Sequence, residues 1–169
     1  NSPELFIKKY GRKIITKPMK GTISRGKNRK EDSENKKELL DSEKDRAELI
    51  MIVDLERNDI GKICEFGSIK VKKLVEIEKY KTCFQTTYTI EGILKKEVAP
   101  VDIIKNIFPG GSITGAPKIR AMEIIEELEP EKRSFYTGSL GYIGFNKNML
   151  FNILIRTILH KENKIYYPV

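Results

Sequence analysis

The chain has 169 residues, 39% apolar and 33% charged, with 32 Lys and Arg against 24 Asp and Glu, a formal net charge of +8. That composition is globular, since a disordered chain would be poorer in Ile, Leu, Val and Phe. No apolar run approaches the roughly 18 residues of a membrane span, which excludes an integral helical membrane protein, and NSPELFIKKYGRK at the start lacks the apolar centre of a secretory signal.

In chain order, residues 5–16 (LFIKKYGRKIIT) read as two strands turning at Tyr10-Gly11. GTISRGKNRKEDSEN is polar and Gly-punctuated, so it reads as a loop. Ser42 then caps a helix in which Asp45 holds the third position. Its apolar positions are Ala47, Ile50, Met51 and Leu55, and Asn58-Asp59-Ile60-Gly61 ends it. Residues 68–71, 74–78 and 82–90 look like strands, the last β-branched and aromatic with a period of two. Pro100 opens a short helix to Phe108. PGGSITGAP feeds a second helix, 117–128, stopped by Glu129-Pro130. Strands are expected at 136–145, 151–160 and 164–167. Runs of strand separated by runs of helix favour an α+β fold. The chain reads as one domain and, beginning with Asn, as part of a longer one.

The excess charge is local. Residues 1–37 hold twelve Lys and Arg against four acids, and the other 132 residues are balanced. The cations are 24 Lys and 8 Arg; base readout and bidentate phosphate contact favour Arg. A nucleic-acid module is therefore the weaker reading: no nucleic-acid motif is present and aromatics are not interleaved with the basic residues. An anionic small molecule or a solvated face fits as well. Cys64 and Cys83 lack C-x-x-C spacing and His160 is the only histidine, so a Cys/His zinc site lacks ligands. The cysteines read as small buried hydrophobes of a reducing cytoplasm.

PGGSITGAPK fails the Walker pattern, because Lys118 follows Gly115 by three. An anion-binding turn and a tight turn needing positive φ both remain open for it. Glu48 lies beside the helix's apolar stripe, so it is either paired or a ligand for a hard cation. Lys20 is either a solvated loop residue or, once it sheds its proton, a nucleophile. Arg156, within FNILIRTIL, needs an anionic partner, and a substrate carboxylate would suit its fork.

SPELF (2–6), KPMKGT (17–22), SEKDRAELIMIVDLERNDIG (42–61), PGGSITGAPKIRAMEIIEELEP (109–130), YTGSLGYIG (136–144) and NILIRTI (152–158) together resemble the chorismate-utilising enzymes. The resemblance covers essentially the whole chain in the right order. It implies the anthranilate synthase component I-like fold, antiparallel sheets with flanking helices. Anthranilate and isochorismate synthases carry Ala where KPMKGT has Lys20, whereas the aminodeoxychorismate synthase branch carries Lys. The resemblance thus points to that branch, with anthranilate, isochorismate or salicylate synthesis as the alternatives.

What it implies is specific. Chorismate would be held through Mg²⁺, with Glu48 a metal ligand. Glu4 would be the general acid toward the C4 hydroxyl, and Lys20 would attack C2 of the ring. Tyr142 and Arg156 would anchor the enolpyruvyl carboxylate, and Thr114 would contact the substrate. Ammonia would come from a glutamine amidotransferase subunit. Gln85 stands where many members have His, and Leu150 where an acid is common. Family members have a further N-terminal half, and they continue beyond YYPV with a glycine-rich segment and a helix bearing a second Mg²⁺ glutamate. The chain is therefore expected to be an excerpt, inactive alone.

Overall fold

A computed structural model gives the fold and describes residues 2–167, leaving aside the side chains of 73 and 74. β1 (Leu5–Tyr10) and β2 (Lys13–Lys17) form the expected hairpin, with Gly11 at φ +56° in its turn. Register shifts after Leu5 toward both neighbours leave Phe6 and Ile7 buried in succession. Buried Pro18 separates β2 from β3 (Met19–Ser24). Both strands lie along one edge of β5 (Cys83–Ile93), β2 on its C-terminal half and β3 on its N-terminal half. β4 (Lys70–Lys79) pairs with the other edge. β6 (Ser139–Ile143) and β7 (Met149–Ile153) complete a seven-stranded antiparallel sheet ordered β3-β5-β2-β1-β7-β6, with β4 on β5. β8 (Leu159–Lys161) and β9 (Lys164–Tyr166) form a separate ribbon.

Four helices accompany the sheet among the described residues: α1 (Arg29–Asp41), α2 (Glu43–Gly61), α3 (Pro100–Ile107) and α4 (Lys118–Leu128). Leu49, Val53 and Ile60 of α2, with Ile103 and Ile107 of α3, share one core with Ile7, Ile14 and Ile90 of the sheet. The expected α+β class and antiparallel sheet are present. No helix is long and apolar enough to cross a membrane among the described residues.

Several expectations need correction. The polar stretch 21–35 is not a loop: its first part is β3, and its last part opens α1. Asn28 caps α1, accepting from the amides of Lys30 and Glu31 at 3.0 Å, and Glu31 and Asp32 stand in its first turn. Only Leu39 of α1 is buried, so the helix has no apolar stripe to betray it. In α2, Ser42 caps as expected, accepting from Asp45 N at 3.3 Å, but the buried face differs. Ile50 and Met51 are exposed, and the stripe is Leu49, Ile52, Val53, Glu56 and Ile60. The two short strands expected at 68–78 are one strand, β4, interrupted by register shifts.

The strand expected at 151–160 stops at Ile153. There Ile153 N donates to Glu4 O and Leu154 N to Gly138 O, after which neither β1 nor β6 offers a further pairing partner. Arg156 is thus outside any strand, exposed, at φ +51°. The glycines of PGGSITGAP do not take positive φ, so that tight-turn reading fails. Gly110 and Gly111 serve close packing instead: an added Cβ would lie 3.0 Å from Ile153 Cδ1 and 3.1 Å from Leu55 Cδ2, respectively.

Candidate active site

The end of β3 that leaves Pro18 is distorted in a useful way. Its register against β5 shifts between Lys20 and Thr22, and Gly21 between them has φ +62°. Such bulges re-aim side chains. A Cβ on Gly21 would lie 2.9 Å from Thr86 Oγ1, so only glycine fits. The Thr86 hydroxyl donates to Lys20 O and holds the bulge. Lys20 Nζ then lies 3.0 Å from Glu48 Oε2 on α2. Glu48 is half-buried, one turn before buried Ile52 on the same side of α2. Lys20, by hydrogen bond and charge, holds the Glu48 carboxyl below its usual range.

Glu4 stands just before β1 and is only 4% exposed. Its Oε1 is buried without a hydrogen-bond partner among the described residues. Burial pushes its carboxyl above the usual carboxylate range, partly offset by the Ser112 hydroxyl, the Met19 main chain, and the charges of Lys20 and Arg156. Glu4, Lys20, Gln85 and Arg156 line one cavity of about 190 Å³. Gln85 is buried there and donates from Nε2 to Thr22 Oγ1 at 3.1 Å. Thr114 and Tyr142 do not line this cavity. The Thr114 hydroxyl donates to Gly110 O at 3.0 Å, and Tyr142 is exposed on β6. A buried acid facing two cations suits an anionic ligand that must receive a proton.

Behind this cavity lies a second network that the sequence patterns do not single out. Glu56 is fully buried, accepts from Thr16 Oγ1 at 2.7 Å, and is pushed by desolvation up to about 8. One turn on, buried Asp59 pairs with Lys118, whose ammonium also donates to Ile107 O at 3.1 Å and Pro109 O at 2.6 Å. Lys118 thereby fastens the Gly-rich turn to α2.

A family model described as chorismate binding enzyme matches residues 1–169. The chain belongs to the chorismate-binding enzyme family. Aminodeoxychorismate synthase component 1 of Bacillus subtilis is 51% identical over 157 residues, which is 93% of this chain and 33% of the relative. Anthranilate synthase component 1 of Acetivibrio thermocellus is 43% identical over 166 residues, 98% of this chain and 34% of the relative. The crystal structure of anthranilate synthase component I from Streptococcus pneumoniae superposes with a TM-score of 0.86 at 38% identity, covering 97% of this chain and 36% of that one. The chain thus spans about a third of the length of the curated relatives it matches.

For this chorismate-binding domain, the donor set bears on a metal. No cluster of three or more His, Cys, Asp or Glu able to hold an ion occurs among the described residues. Glu48 offers one accessible carboxylate beside the cavity, which fits a Mg²⁺ that keeps most of its waters and takes substrate oxygens besides. Both cysteines are free; Cys64 is buried and its thiol is pushed up to about 11, while Cys83 is half-buried. Glu56 was findable from sequence, since it falls three and four residues from Val53, Ile52 and Ile60 on the true stripe. Lys118 gave no such signal, because its acceptors come from two separate segments, Asp59 and residues 107–109.

Proposed function

We propose that this chain carries the amination site of an aminodeoxychorismate synthase component I, converting chorismate and ammonia to 4-amino-4-deoxychorismate and water. The supporting observation is that Glu4 and Lys20 line one cavity. Glu4 gives its proton to the C4 hydroxyl, which departs as water. Lys20 Nζ bonds to C2 as the ring double bonds shift, releasing a proton. Ammonia then bonds to C4, the bond to Lys20 breaks, and the amine recovers a proton. Two successive displacements return the new nitrogen to C4. Attack by Lys20 requires its ion pair with Glu48 to open.

Arg156 supplies the fork for a substrate carboxylate, and Gln85 a hydrogen bond near the departing hydroxyl. Thr114 and Tyr142 are proposed substrate contacts on resemblance alone. Glu48 would hold Mg²⁺, which supplies charge neutralisation and Lewis acidity toward the ring carboxylate when bound. The ammonia is proposed to come from a glutamine amidotransferase subunit.

Anthranilate synthesis is the second reading, favoured by the similarity to anthranilate synthase component 1. Full-length protein incubated with chorismate, Mg²⁺ and ammonia separates the two. Aminodeoxychorismate that vanishes in Lys20→Ala supports the proposal, whereas anthranilate as the product overturns it.

A further inference from the structure

The positive excess of residues 1–37 does not converge on the Lys20 cavity. Lys13 pairs with Glu91 at 2.6 Å, Lys17 with Glu78, and Arg25 with Asp32. Lys9 and Arg12 do something different. They join Lys95, Lys96 and Lys147 around a cavity of about 250 Å³ whose one acidic lining residue is Glu97. This cavity lies at the opposite end of β1 from Glu4, about 17 Å along the strand at roughly 3.4 Å per residue.

Two turns build it rigidly. Asn148 Oδ1 accepts from Gly11 N at 3.0 Å, tying the β1–β2 turn to the β6–β7 turn. Lys9 Nζ donates to Lys147 O at 2.7 Å across the same junction. Lys9 is 8% exposed, and its ammonium has three protons but only this one acceptor among the described residues. Arg12 is committed to Glu65 and the Leu94 carbonyl, and Lys95 to the Lys62 carbonyl. Among the described residues, no carboxylate forms an ion pair with Lys9, Lys95, Lys96 or Lys147. Of these cations only Lys9 is buried, the others being exposed. Burying it without a counter-charge is costly, and an anion held between it and the exposed Lys95, Lys96 and Lys147 would offset that cost.

We propose that this cavity is a second anion site, binding a small phosphoryl polyanion. Lysines bind phosphoryl oxygens as point charges, without needing a guanidinium fork, and a phosphoryl polyanion brings the higher charge density to several ammonium groups at once. A cavity of this size holds one or two phosphoryl groups and is too small for a protein surface.

The test is calorimetric titration of the full-length protein with pyrophosphate at 0.15 M salt, with citrate as a carboxylate of comparable charge. Saturable binding with a dissociation constant below about 1 mM is expected, weakened at least tenfold in Lys9→Met. The doubly substituted Lys96→Ala/Lys147→Ala protein, altered only at exposed side chains, should also bind at least fivefold more weakly. Lys8→Met, on the same strand but outside the cavity, should bind as the parent does. The proposal fails if pyrophosphate does not saturate, if citrate binds equally well, or if chorismate displaces it competitively. It also fails if Lys8→Met weakens binding as much as Lys9→Met does.

Discussion

Lys20 Nζ and Glu48 Oε2 lie 3.0 Å apart, so the proposed nucleophile and the proposed metal carboxylate hold one another. Both side chains are 37% exposed, so the pair contributes little to stability. Replacing either residue should therefore change chemistry without unfolding the protein. Lys20→Ala should lose aminodeoxychorismate formation by several orders of magnitude while its thermal midpoint stays near the parent's. Glu48→Gln should instead raise the Mg²⁺ concentration for half-maximal rate by about 10- to 100-fold. A Lys20→Ala enzyme with a tenth of parental activity would refute the nucleophile assignment.

Glu4 carries a different signature. In the proposed mechanism its protonated form is the active one, and burial raises its pKa, so kcat should fall as pH rises through that pKa. Glu4→Gln keeps the shape but has no proton to give. Its kcat should drop by about 10²- to 10⁴-fold, and that descending limb should disappear from the pH profile. A limb that persists unchanged in Glu4→Gln assigns it to another group.

Glu56 makes stability depend on pH. Around it stand the Thr16 hydroxyl and the charges of Glu4, Asp59 and Lys118. Its pKa rises from 4.5 to about 8 on folding, so the folded state binds the extra proton between those values. The stabilisation is complete below pH 4.5 and is lost as pH rises through about 8. Each tenfold gain in proton affinity is worth about 1.4 kcal/mol, so the whole effect is on the order of a few kcal/mol. Thermal melts between pH 5 and 9 should show a midpoint that falls with pH in the parent. In Glu56→Gln the fall should be much shallower.

The Asp59–Lys118 pair is buried, with side-chain exposures of 5% and 14%. Lys62 also pairs with Asp59, at 3.1 Å, so Lys118→Met leaves the carboxylate one half-exposed cation and should cost less than the roughly 3–5 kcal/mol of a fully stranded buried charge. The double variant Asp59→Asn/Lys118→Met should cost less than the sum of the two single changes, as measured by denaturant unfolding. Full additivity would mean that the two side chains do not depend on each other.

Much of this was legible in the sequence because it was written in local patterns. The β1–β2 hairpin, the Ser42 cap and the Pro100 helix each declare themselves within a few residues. The cavity's membership was legible only through resemblance, since Glu4, Lys20, Gln85 and Arg156 come from distant segments. The misses have physical causes. α1 is held by caps and by the Arg25–Asp32 pair, so its side chains show no apolar period. The α2 stripe differs from the one its sequence suggests because Ile50 and Met51 are apolar but exposed. Arg156 lies outside a strand because strand partners ran out there, and no local composition encodes that.

β1 touches both anion-facing cavities, Glu4 preceding it and Lys9 standing near its far end. Its six residues are locked on both sides, by β2 and by β7, with the register shift in the same place. Side-chain direction alternates along a strand, so inserting one residue after Ile7 would turn Lys8 inward and Lys9 out. The strand therefore acts as a spacer gauge whose two ends cannot drift independently. A change that retunes one cavity through β1 is felt at the other, and length variation in this family should be tolerated in the β1–β2 turn before it is tolerated in the strand.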